Sequence, residues 1–236
     1  MNSQPIEKQD KSEIGDLEVH SIFKTIQGEG PFTGTRSIFV RLAGCNLQCP
    51  LCDTDYTSKR IKMTVLKLIT QINELTVSEI TGGIQPGYLI VITGGEPFRQ
   101  NLKPFIDLLL EHGYNVQIET NGTLFQELPY DLITVVCSPK TFKINRFLKV
   151  HINALKYIAK ANDIGSIDGL PLYVLDHIAE PCVSRPPMGF SGTVYIQPAD
   201  EGDPLRNHKN LDAAITSVMK HGYTLCLQTH KIIGME

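Results

Sequence analysis

Three cysteines within eight residues constrain this chain more than any other feature of its sequence. Cys45, Cys49 and Cys52 have the spacing C-x3-C-x2-C. Three thiolates from one short loop can hold three irons of a 4Fe–4S cluster and leave the fourth iron without a protein ligand. An open coordination position is typical of a metal site that does chemistry. The alternative is a structural zinc site, whose fourth ligand would have to come from a distant residue, such as one of the other three cysteines.

Composition and charge narrow the class of protein. The chain has 236 residues, of which 42% are hydrophobic, and this is enough for a well-buried α/β domain. Its formal net charge is −3 with acidic and basic residues interspersed, so no nucleic-acid partner is expected. No apolar run reaches the length of about 18 residues that a membrane span requires, so no membrane partner is expected either. A cysteine triplet in such a chain implies reduced thiols, and therefore a cytoplasmic protein.

The chain divides into a polar N-terminal segment and one domain. Residues 1–16 carry mixed charges and lack the apolar stretch of a signal peptide, so they are predicted to be a flexible tail. Residues 17–236 are predicted to form a single catalytic domain. Within it, residues 162–192 are rich in Gly, Pro, Asp and Ser, which indicates a surface insertion that could cover a site.

Short apolar runs rich in β-forming residues alternate with segments of helical period. The predicted strands are 37–42, 88–93, 115–119, 132–137, 172–177, 193–197 and 224–228. The predicted helices are 64–75, 101–112, 145–161 and 204–221. This alternation predicts an α/β fold with a mostly parallel sheet that is curved or closed like part of a barrel.

Distinctive short motifs follow four of the predicted strands. The cysteine loop follows strand 37–42, and Gly94-Gly95-Glu96-Pro97 follows the next strand. Ser138-Pro139-Lys140 and Pro198-Ala199-Asp200 follow two later strands. Parallel sheets place their chemistry at the carboxyl ends of the strands, so these motifs are predicted to meet in one site.

These motifs carry a family resemblance. The cysteine spacing, with Gly-Gly-Glu-Pro after the next strand, resembles the radical S-adenosylmethionine (SAM) enzymes. Four blocks are similar to the 7-carboxy-7-deazaguanine synthase family, and the matching regions run from about residue 21 to 140 and from 193 to the end. The blocks are Gln27-Gly28-Glu29-Gly30, Cys52-Asp53-Thr54, Thr93-Gly94-Gly95-Glu96-Pro97 and Gln228-Thr229-His230-Lys231.

The resemblance implies a partial (β/α) barrel of the radical SAM type and a ring-contracting lyase. The family converts 6-carboxy-5,6,7,8-tetrahydropterin to 7-carboxy-7-deazaguanine with release of ammonia, a step towards queuosine in tRNA and other 7-deazapurines. It uses a 4Fe–4S cluster, SAM as the source of a 5′-deoxyadenosyl radical, and Mg²⁺. A flavodoxin- or ferredoxin-like electron donor and a homodimer are also implied.

The resemblance also assigns ligands residue by residue. It gives Cys45, Cys49 and Cys52 to the cluster and Thr54 to Mg²⁺. It gives to SAM the residues Gly95, Glu96, Ser138, Pro139, Lys140, Gln197, Pro198, Ala199 and Asp200. It gives to the pterin substrate Ile26, Gln27, Gly28, Arg41, Thr93, His230 and Glu236.

Several of these residues have an ordinary structural interpretation as well. Gly94 and Gly95 would let the backbone approach the cofactor, and Glu96 would accept hydrogen bonds from the methionine ammonium; an ordinary strand-to-helix turn is the alternative. Arg41 lies in an apolar strand, where it would clamp the pterin carboxylate or form a structural ion pair. Leu51 stands where the superfamily often has an aromatic residue against adenine, so that contact stays open.

Two other functions remain open from the sequence. A radical SAM activase that acts on a partner protein would share the cysteine loop and Gly-Gly-Glu-Pro. A zinc-binding module without catalysis would use the cysteines as structural ligands.

Overall fold

One mostly parallel sheet organises the chain. In the computed structural model, which describes residues 2–10, 15–77, 81–177 and 182–235, nine strands within those ranges form this sheet. The strands are β1 (Leu17–Ile26), β2 (Arg36–Leu42), β3 (Ile61–Met63), β4 (Leu89–Gly94), β5 (Asn115–Thr120), β6 (Thr134–Cys137), β7 (Ala154–Ala159), β8 (Thr193–Pro198) and β9 (Thr224–Leu225). The α-helices of the described ranges are α1 (Val65–Thr76), α2 (Lys103–Glu111), α3 (Pro204–His221) and α4 (Thr229–Ile232).

The strand order is β3-β1-β2-β4-β5-β6-β7-β8-β9. Strand β1 runs antiparallel to β2 and β3, and every other neighbouring pair is parallel. The predicted α/β fold with a mostly parallel sheet is therefore confirmed. None of the helices in the described ranges is long and apolar enough to cross a membrane.

Local signals fix where the helices begin. Thr64 caps α1 by accepting a hydrogen bond from the N–H of Lys67, and Asp203 caps α3 through the N–H of Arg206. Helices α2 and α3 also have a proline in the first turn, where a missing N–H costs nothing. These signals explain why the bounds of α3 agree with the prediction.

The two faces of the sheet differ in chemistry. Ile38 and Val40 of β2 and Ile90 and Ile92 of β4 are fully buried in the hydrophobic core, with residues of α1, α2 and α3. Because side chains alternate along a strand, the residues between them point to the opposite face. That face carries Arg41, Thr93, Gln117, Glu119, Lys156 and Gln197.

The sheet curves strongly. Strands β1 and β9 are seven places apart in the strand order, which would separate them by roughly 34 Å in a flat sheet with a spacing of about 4.8 Å. Yet the N–H of Gly30, shortly after β1, donates to Sγ of Cys226, directly after β9, at 3.2 Å. The sheet therefore curls until its far strands meet, as in a partial barrel.

The predicted helix 145–161 is wrong. The region contains a short 3-10 helix (Leu148–His151) followed by strand β7. Five of the six residues of β7 are buried. A strand that is buried on both faces gives a continuous apolar run, which periodicity cannot distinguish from a buried helix.

The predicted strand 172–177 is also wrong. Leu175 and Asp176 have φ angles of 54° and 55°, so the chain reverses there, and an isolated bridge joins Val174 to His177. Two further predicted strands are shortened, since β6 begins at Thr134 and β9 ends at Leu225.

Strands β1 and β3 lie outside every predicted strand. The register of β1 shifts between Val19 and Ser21, and this irregularity interrupts the alternation by which an amphipathic strand is found in a sequence.

The two segments that were expected at the surface make definite contacts. Of residues 1–16, expected to be a flexible tail, residues 2–10 form hydrogen bonds to the cysteine loop, while 1 and 11–14 lie outside the described residues. Of residues 162–192, the expected insertion, 178–181 lie outside them. The described part buries Leu170, Val174 and Val183 in the core.

Candidate active site

The cysteine loop leaves the carboxyl end of β2. Cys45 and Cys49 are buried and Cys52 is half-buried, and none of them is in a disulfide. The N–H of Cys52 donates to the carbonyl of Cys49 at 3.1 Å, which folds the second half of the loop. Burial raises the pKa of Cys45 to about 12, and the neighbouring Glu96 and the other two thiols add to this rise. The three thiols are therefore near enough to affect one another electrostatically.

These thiols fit a cluster better than a single ion. Within the described ranges, no three His, Cys, Asp or Glu side chains are grouped so that they could hold one metal ion. A 4Fe–4S cubane takes one thiolate on each of several irons, so its ligands need not converge on one point. The three unpaired thiols supply the donors that such a cluster uses. The zinc module gains no ligand set from the described residues.

The Gly-Gly-Glu-Pro turn after β4 packs directly on the cysteine loop. Gly94 has a φ of 131°, and a Cβ at Gly95 would lie 2.1 Å from the carbonyl oxygen of Gly44. The N–H groups of Gly95 and Glu96 donate to the carbonyls of Leu42 and Gly44 at 3.2 and 3.0 Å. The glycines are thus required for the close approach of two protein loops, a reason different from the expected approach to the cofactor.

Glu96, the third residue of this turn, is fully buried. Its carboxylate accepts from the N–H of Phe98 at 3.0 Å, the hydroxyl of Thr120 at 2.7 Å and the N–H of Asn121 at 2.7 Å. Burial raises the pKa of Glu96 to about 7, although these donors and the Lys140 ammonium oppose the rise. A carboxylate has about four lone-pair sites, so one acceptor position is left for a further cation or donor.

The loop after β5 also contacts the cysteine loop, although none of its residues was among the predicted site residues. The Asn121 side chain donates to Oδ1 of Asn46 at 2.9 Å, and Asn46 donates to the hydroxyl of Thr123 at 2.8 Å. Asn121 and Thr123 sit at the carboxyl end of a parallel strand, and that position was the available signal.

Lys140, after β6, lies towards the same loop. Its ammonium donates to the carbonyl of Ser138 at 3.1 Å and to the Ser138 hydroxyl at 2.5 Å. Burial lowers the pKa of Lys140, and in return its charge lowers the pKa of Cys49 and Cys52 against the larger effect of their burial. Ser138, Pro139 and Lys140 are therefore brought to the cysteine loop.

The residues after β8 line a cavity beside Cys52. The cavity has a volume of about 680 Å³, and its wall includes Leu51, Cys52, Ala199 and Asp200. Gln197 is buried further in, and Pro198 ends β8. Ala199 and Asp200, both predicted for SAM, therefore lie on the wall of the cavity that Cys52 also lines.

Asp200 accepts three hydrogen bonds from the protein. Its carboxylate accepts from the Asn207 side chain at 2.8 Å, from the N–H of Gly202 at 3.0 Å and from the Lys231 ammonium at 2.6 Å. The hydrogen bond from Lys231 is the main reason why the pKa of Asp200 falls to about 2. This carboxylate therefore also anchors the C-terminal region to the end of β8.

Two motifs that are 200 residues apart in the sequence meet at the other end of the site. A Cβ at Gly28 would lie 2.0 Å from Nδ1 of His230, and the N–H of Thr229 donates to the Gly28 carbonyl at 3.1 Å. Burial lowers the pKa of His230, opposed by the nearby charge of Glu29. Gln27, Gly28 and His230, all predicted for the substrate, are thus neighbours.

A buried charged cluster lies beside them, and no site prediction included its ions. The Lys156 ammonium binds Glu29 and lies 3.4 Å from Oε2 of Glu119. Gln27 donates to Oε1 of Glu119 at 3.0 Å, and Gln228 donates to Oε1 of Glu29 at 2.9 Å. Burial opposes ionisation of Glu29, but the Lys156 charge and these hydrogen bonds keep its pKa below the usual value. Burial would lower the pKa of Lys156, yet Glu119 and Glu29 raise it.

Gln117 also contacts this charged cluster, and its side-chain oxygen is an unused hydrogen-bond acceptor. Its side-chain N–H donates to Oε1 of Glu119 at 3.0 Å, while its own Oε1 is buried and has no hydrogen-bond partner within the described residues. Buried polar atoms are nearly always hydrogen-bonded in native structures, so an orphaned oxygen here indicates a site for a donor from a ligand.

Arg41 and Thr93 stand opposite one another on β2 and β4. The Arg41 guanidinium lies 5.3 Å from the centre of the Phe23 ring, and within the described ranges it makes no ion pair. The structural ion pair considered for Arg41 is therefore not supported there. A half-buried guanidinium without an anionic partner is suited to a carboxylate ligand.

Three predicted residues give less information. Thr54 is half-buried and its hydroxyl donates to Oδ1 of Asp53 at 3.2 Å. Ile26 ends β1 next to Gln27. Glu236 lies outside the described residues.

The comparisons with known proteins agree with this geometry. No protein-family model matches the chain. A 7-carboxy-7-deazaguanine synthase of Rhodospirillum rubrum is 39% identical over 236 residues, covering 97% of this chain and 97% of its own. The 7-carboxy-7-deazaguanine synthase of Rickettsia prowazekii is 37% identical, covering 93% of this chain and 89% of its own. The crystal structure of QueE from Escherichia coli has a TM-score of 0.67 and covers 90% of this chain and 93% of its own, at 24% identity, a likeness in fold.

A curved, mostly parallel sheet with a three-cysteine loop at the carboxyl end of one strand defines an enzyme of the radical SAM type. The two relatives at 37–39% identity narrow the class, because each is matched over nearly its whole length. The chain belongs to the 7-carboxy-7-deazaguanine synthase family.

Proposed function

We propose that this chain converts 6-carboxy-5,6,7,8-tetrahydropterin to 7-carboxy-7-deazaguanine with release of ammonia, as a radical SAM lyase of queuosine and 7-deazapurine biosynthesis. One observation carries the proposal beyond family membership. The polar face of the curved sheet carries the Arg41 guanidinium, which makes no ion pair among the described residues, and the cluster of Gln117, Glu119 and Lys156. A carboxylated pterin needs a cationic partner for its carboxylate at one end and hydrogen-bond acceptors for its amino and N–H groups at the other.

The chain's own residues would hold the cofactors as follows. Cys45, Cys49 and Cys52 would ligate a 4Fe–4S cluster. The Glu96 carboxylate has one acceptor position left, which would accept a hydrogen bond from the ammonium of SAM. The Lys140 ammonium would pair with the carboxylate of SAM. When bound, the cluster and SAM supply a carbon radical that removes a hydrogen atom from the substrate. The protein must orient this chemistry and exclude water from it.

The substrate would lie along the polar face. Arg41 would bind its carboxylate, with Thr93 beside it. The free Oε1 of Gln117, together with Glu119, would accept hydrogen bonds from the amino and N–H groups of the pyrimidine ring. Ile26, Gln27, Gly28 and His230 would close the pocket over the ring edge. Glu236 is proposed for the same region on the resemblance alone.

Mg²⁺ is proposed at Thr54. A neutral hydroxyl holds Mg²⁺ poorly, so waters and the substrate carboxylate must complete the octahedron. Metal binding should therefore depend on substrate, and titration calorimetry with and without the pterin would measure this.

The partners are part of the same proposal. Substrate chemistry of this kind needs single electrons, so a flavodoxin- or ferredoxin-like donor is proposed, together with a homodimer. Six unpaired cysteines fit a reducing compartment, and the cytoplasm is proposed on that ground.

The decisive experiment uses anaerobically reconstituted protein with SAM, Mg²⁺, a reductant and 6-carboxytetrahydropterin. Mass spectrometry should detect 7-carboxy-7-deazaguanine. If 5′-deoxyadenosine forms without this product, the chain is a different radical SAM enzyme, such as an activase. If stoichiometric zinc is found without iron and acid-labile sulfide, the cluster assignment is wrong.

A further inference from the structure

Residues 2–10 run along the outer side of the cysteine loop and bind its backbone. The N–H of Asn2 donates to the carbonyl of Pro50 at 2.9 Å, and the Asn2 side chain donates to the carbonyl of Cys49 at 3.2 Å and to the hydroxyl of Tyr56 at 3.3 Å. The N–H of Glu7 donates to the carbonyl of Cys45 at 2.7 Å. The segment therefore contacts the cysteine loop at Cys45 and again at Cys49 and Pro50.

Gln4 makes the densest set of contacts in the segment. Its side-chain N–H donates to the carbonyl of Thr54 at 2.9 Å. Its Oε1 accepts from the N–H of Tyr56 at 2.7 Å and from the hydroxyl of Thr57 at 3.0 Å. Its backbone carbonyl accepts from the side chain of Gln48 at 2.8 Å. One amide group thus fixes the stretch directly after Cys52, which includes Thr54.

An ion-pair network anchors the far end of the segment. The Glu7 carboxylate binds Arg60 and lies 3.1 Å from Nη1 of Arg99, which is buried. Arg99 also binds Glu18 at 2.7 Å and the carbonyl of Ala43 at 3.1 Å, at the start of the cysteine loop. The hydrogen bond from Arg60 is the main reason why the pKa of Glu7 is lowered. The anchor holds the segment in one register against the loop.

The residues of the segment that contact the cysteine loop or its neighbours are less exposed than Lys8, for which no such contact is described. Asn2, Gln4, Glu7 and Gln9 are half-buried, and Lys8 is exposed. The region from Ala43 to Arg60 contains no strand or helix in the described structure, so its conformation depends on contacts of this kind. Asn2 and Gln4 also form part of the wall of the 680 Å³ cavity beside Cys52.

We propose that residues 2–10 are a positioning strap for the cluster loop, in which Gln4 and Asn2 hold the backbone around Cys49, Cys52 and Thr54 in the conformation that binds the cofactors. The proposal rests on the proposed function, since it assumes that the three cysteines hold a cluster. Metal ligands bind well only when neighbouring contacts hold them in the right positions. Here those contacts come from a segment that is about 40 residues away from the cysteines in the sequence.

The test compares Gln4→Ala and Asn2→Ala with Lys8→Ala, an exposed control in the same segment, all in the full chain. The first measurement is amide hydrogen exchange of the iron-free protein over residues 45–57. Loss of the Gln4 contacts should speed exchange at the Tyr56 amide by about tenfold or more, given the usual contribution of one or two hydrogen bonds. Lys8→Ala should leave the exchange unchanged.

The second measurement is the rate at which an iron chelator bleaches the visible absorbance of the reconstituted cluster, well below the unfolding temperature. Gln4→Ala should lose its cluster severalfold faster than Lys8→Ala. Gln4→Glu keeps the acceptor for Tyr56 and Thr57 but loses the donor to Thr54, so its rate should fall between the two. A purely structural role would lower the thermal midpoint without this order of bleaching rates.

Two failures are distinguishable. If Gln4→Ala matches Lys8→Ala in both exchange and bleaching, the strap is refuted while the cluster stands. If the wild-type chain takes up no iron and sulfide, the proposed function fails, and the exchange experiment still decides whether the segment holds the loop.

Discussion

Replacing Lys156 with methionine tests the buried charged cluster most directly. Methionine is unbranched and only one atom shorter than lysine, and it removes the charge. Lys156 is 6% exposed and is the cation that both Glu29 and Glu119 face. The variant therefore leaves two largely buried carboxylates, 13% and 18% exposed, without this cation, while the surrounding amides of Gln27 and Gln228 remain.

The expected cost is large for one substitution. Removing one partner of a buried ion pair typically lowers the free energy of unfolding by about 3–5 kcal/mol, because the remaining charge is uncompensated. For a chain of this size, each kcal/mol shifts the melting temperature by about 2–4 °C, so the variant should melt about 6–20 °C lower. Lys103→Met is the matched control, since Lys103 is exposed and among the described residues its ion-pair partner is Asp107 on the same helix; it should cost less than about 0.5 kcal/mol.

The cost should also depend on pH, in a direction that the structure fixes. In the wild type the pKa of Glu29 is lowered, so its contribution to stability is present above its ordinary pKa of about 4.5 and is lost only as the pH falls through the lower, folded value. Without Lys156, burial is opposed only by the Gln228 hydrogen bond and the weaker effect of His230, so the pKa of Glu29 should rise. A raised pKa stabilises the fold at low pH, and that stability is lost as the pH rises. The penalty should therefore be larger at pH 8 than at pH 5.

Urea unfolding of both proteins at the two pH values measures this difference. His230 faces Glu29, and its protonation at low pH acts in the same direction, so the double variant Lys156→Met with Glu29→Gln separates the two effects. Its penalty should vary much less with pH. A penalty below about 1 kcal/mol, or one that is equal at pH 5 and pH 8, would refute the reasoning about this cluster.

Three further substitutions test other parts of the site. Cys49→Ala should abolish SAM cleavage and lower the iron content of reconstituted protein; cleavage at the wild-type rate would contradict the ligand assignment. Arg41→Lys should lower kcat/KM for the pterin by about tenfold to a hundredfold, the usual worth of a hydrogen-bonded charged group, while the KM for SAM is unchanged; an unaltered kcat/KM for the pterin would remove Arg41 from the substrate site. Gly28→Ala should raise the KM for the pterin and lower the melting temperature, because a Cβ at position 28 would lie 2.0 Å from Nδ1 of His230. Gly30→Ala is the control: a Cβ there would meet open space, but the positive φ of 69° is strained for alanine, so stability should change more than KM.

The fold could be predicted from the sequence to the extent that each element carries its own local signal. Helix α3 has a capping aspartate and a proline in its first turn, and its predicted and observed bounds agree. The chemical motifs were recognised by their residue types and spacing, and they were predicted to share one edge of the sheet because each follows a predicted parallel strand. The cysteine loop, Gly-Gly-Glu-Pro and Ser138-Pro139-Lys140 do lie at that edge. Both signals are local in sequence, so no tertiary information was needed.

Lys156 shows where local signals fail. The region 145–161 is apolar at helical spacing, and in a helix Lys156 would be an unremarkable surface residue. In strand β7 it is a buried cation on the polar face, the same pattern that marked Arg41 as a candidate on β2. The error in secondary structure therefore concealed a charged residue of the site. Glu29 and Gln228 were within recognised motifs, but their importance depends on Lys156.

The pairing of Gly28 with His230 depends on a property that no segment of the chain possesses alone. Gly28 follows the second strand of the sheet order, and His230 follows the ninth. They touch only because strand twist and curvature accumulate over the seven intervening places until the ends of the sheet meet. A local pattern can predict each strand and still leave this closure undetermined. Gln27, Glu29 and Gln228, at this junction, form part of the proposed substrate pocket, so this part had to be found in three dimensions, whereas the cysteine loop was recognisable from eight consecutive residues.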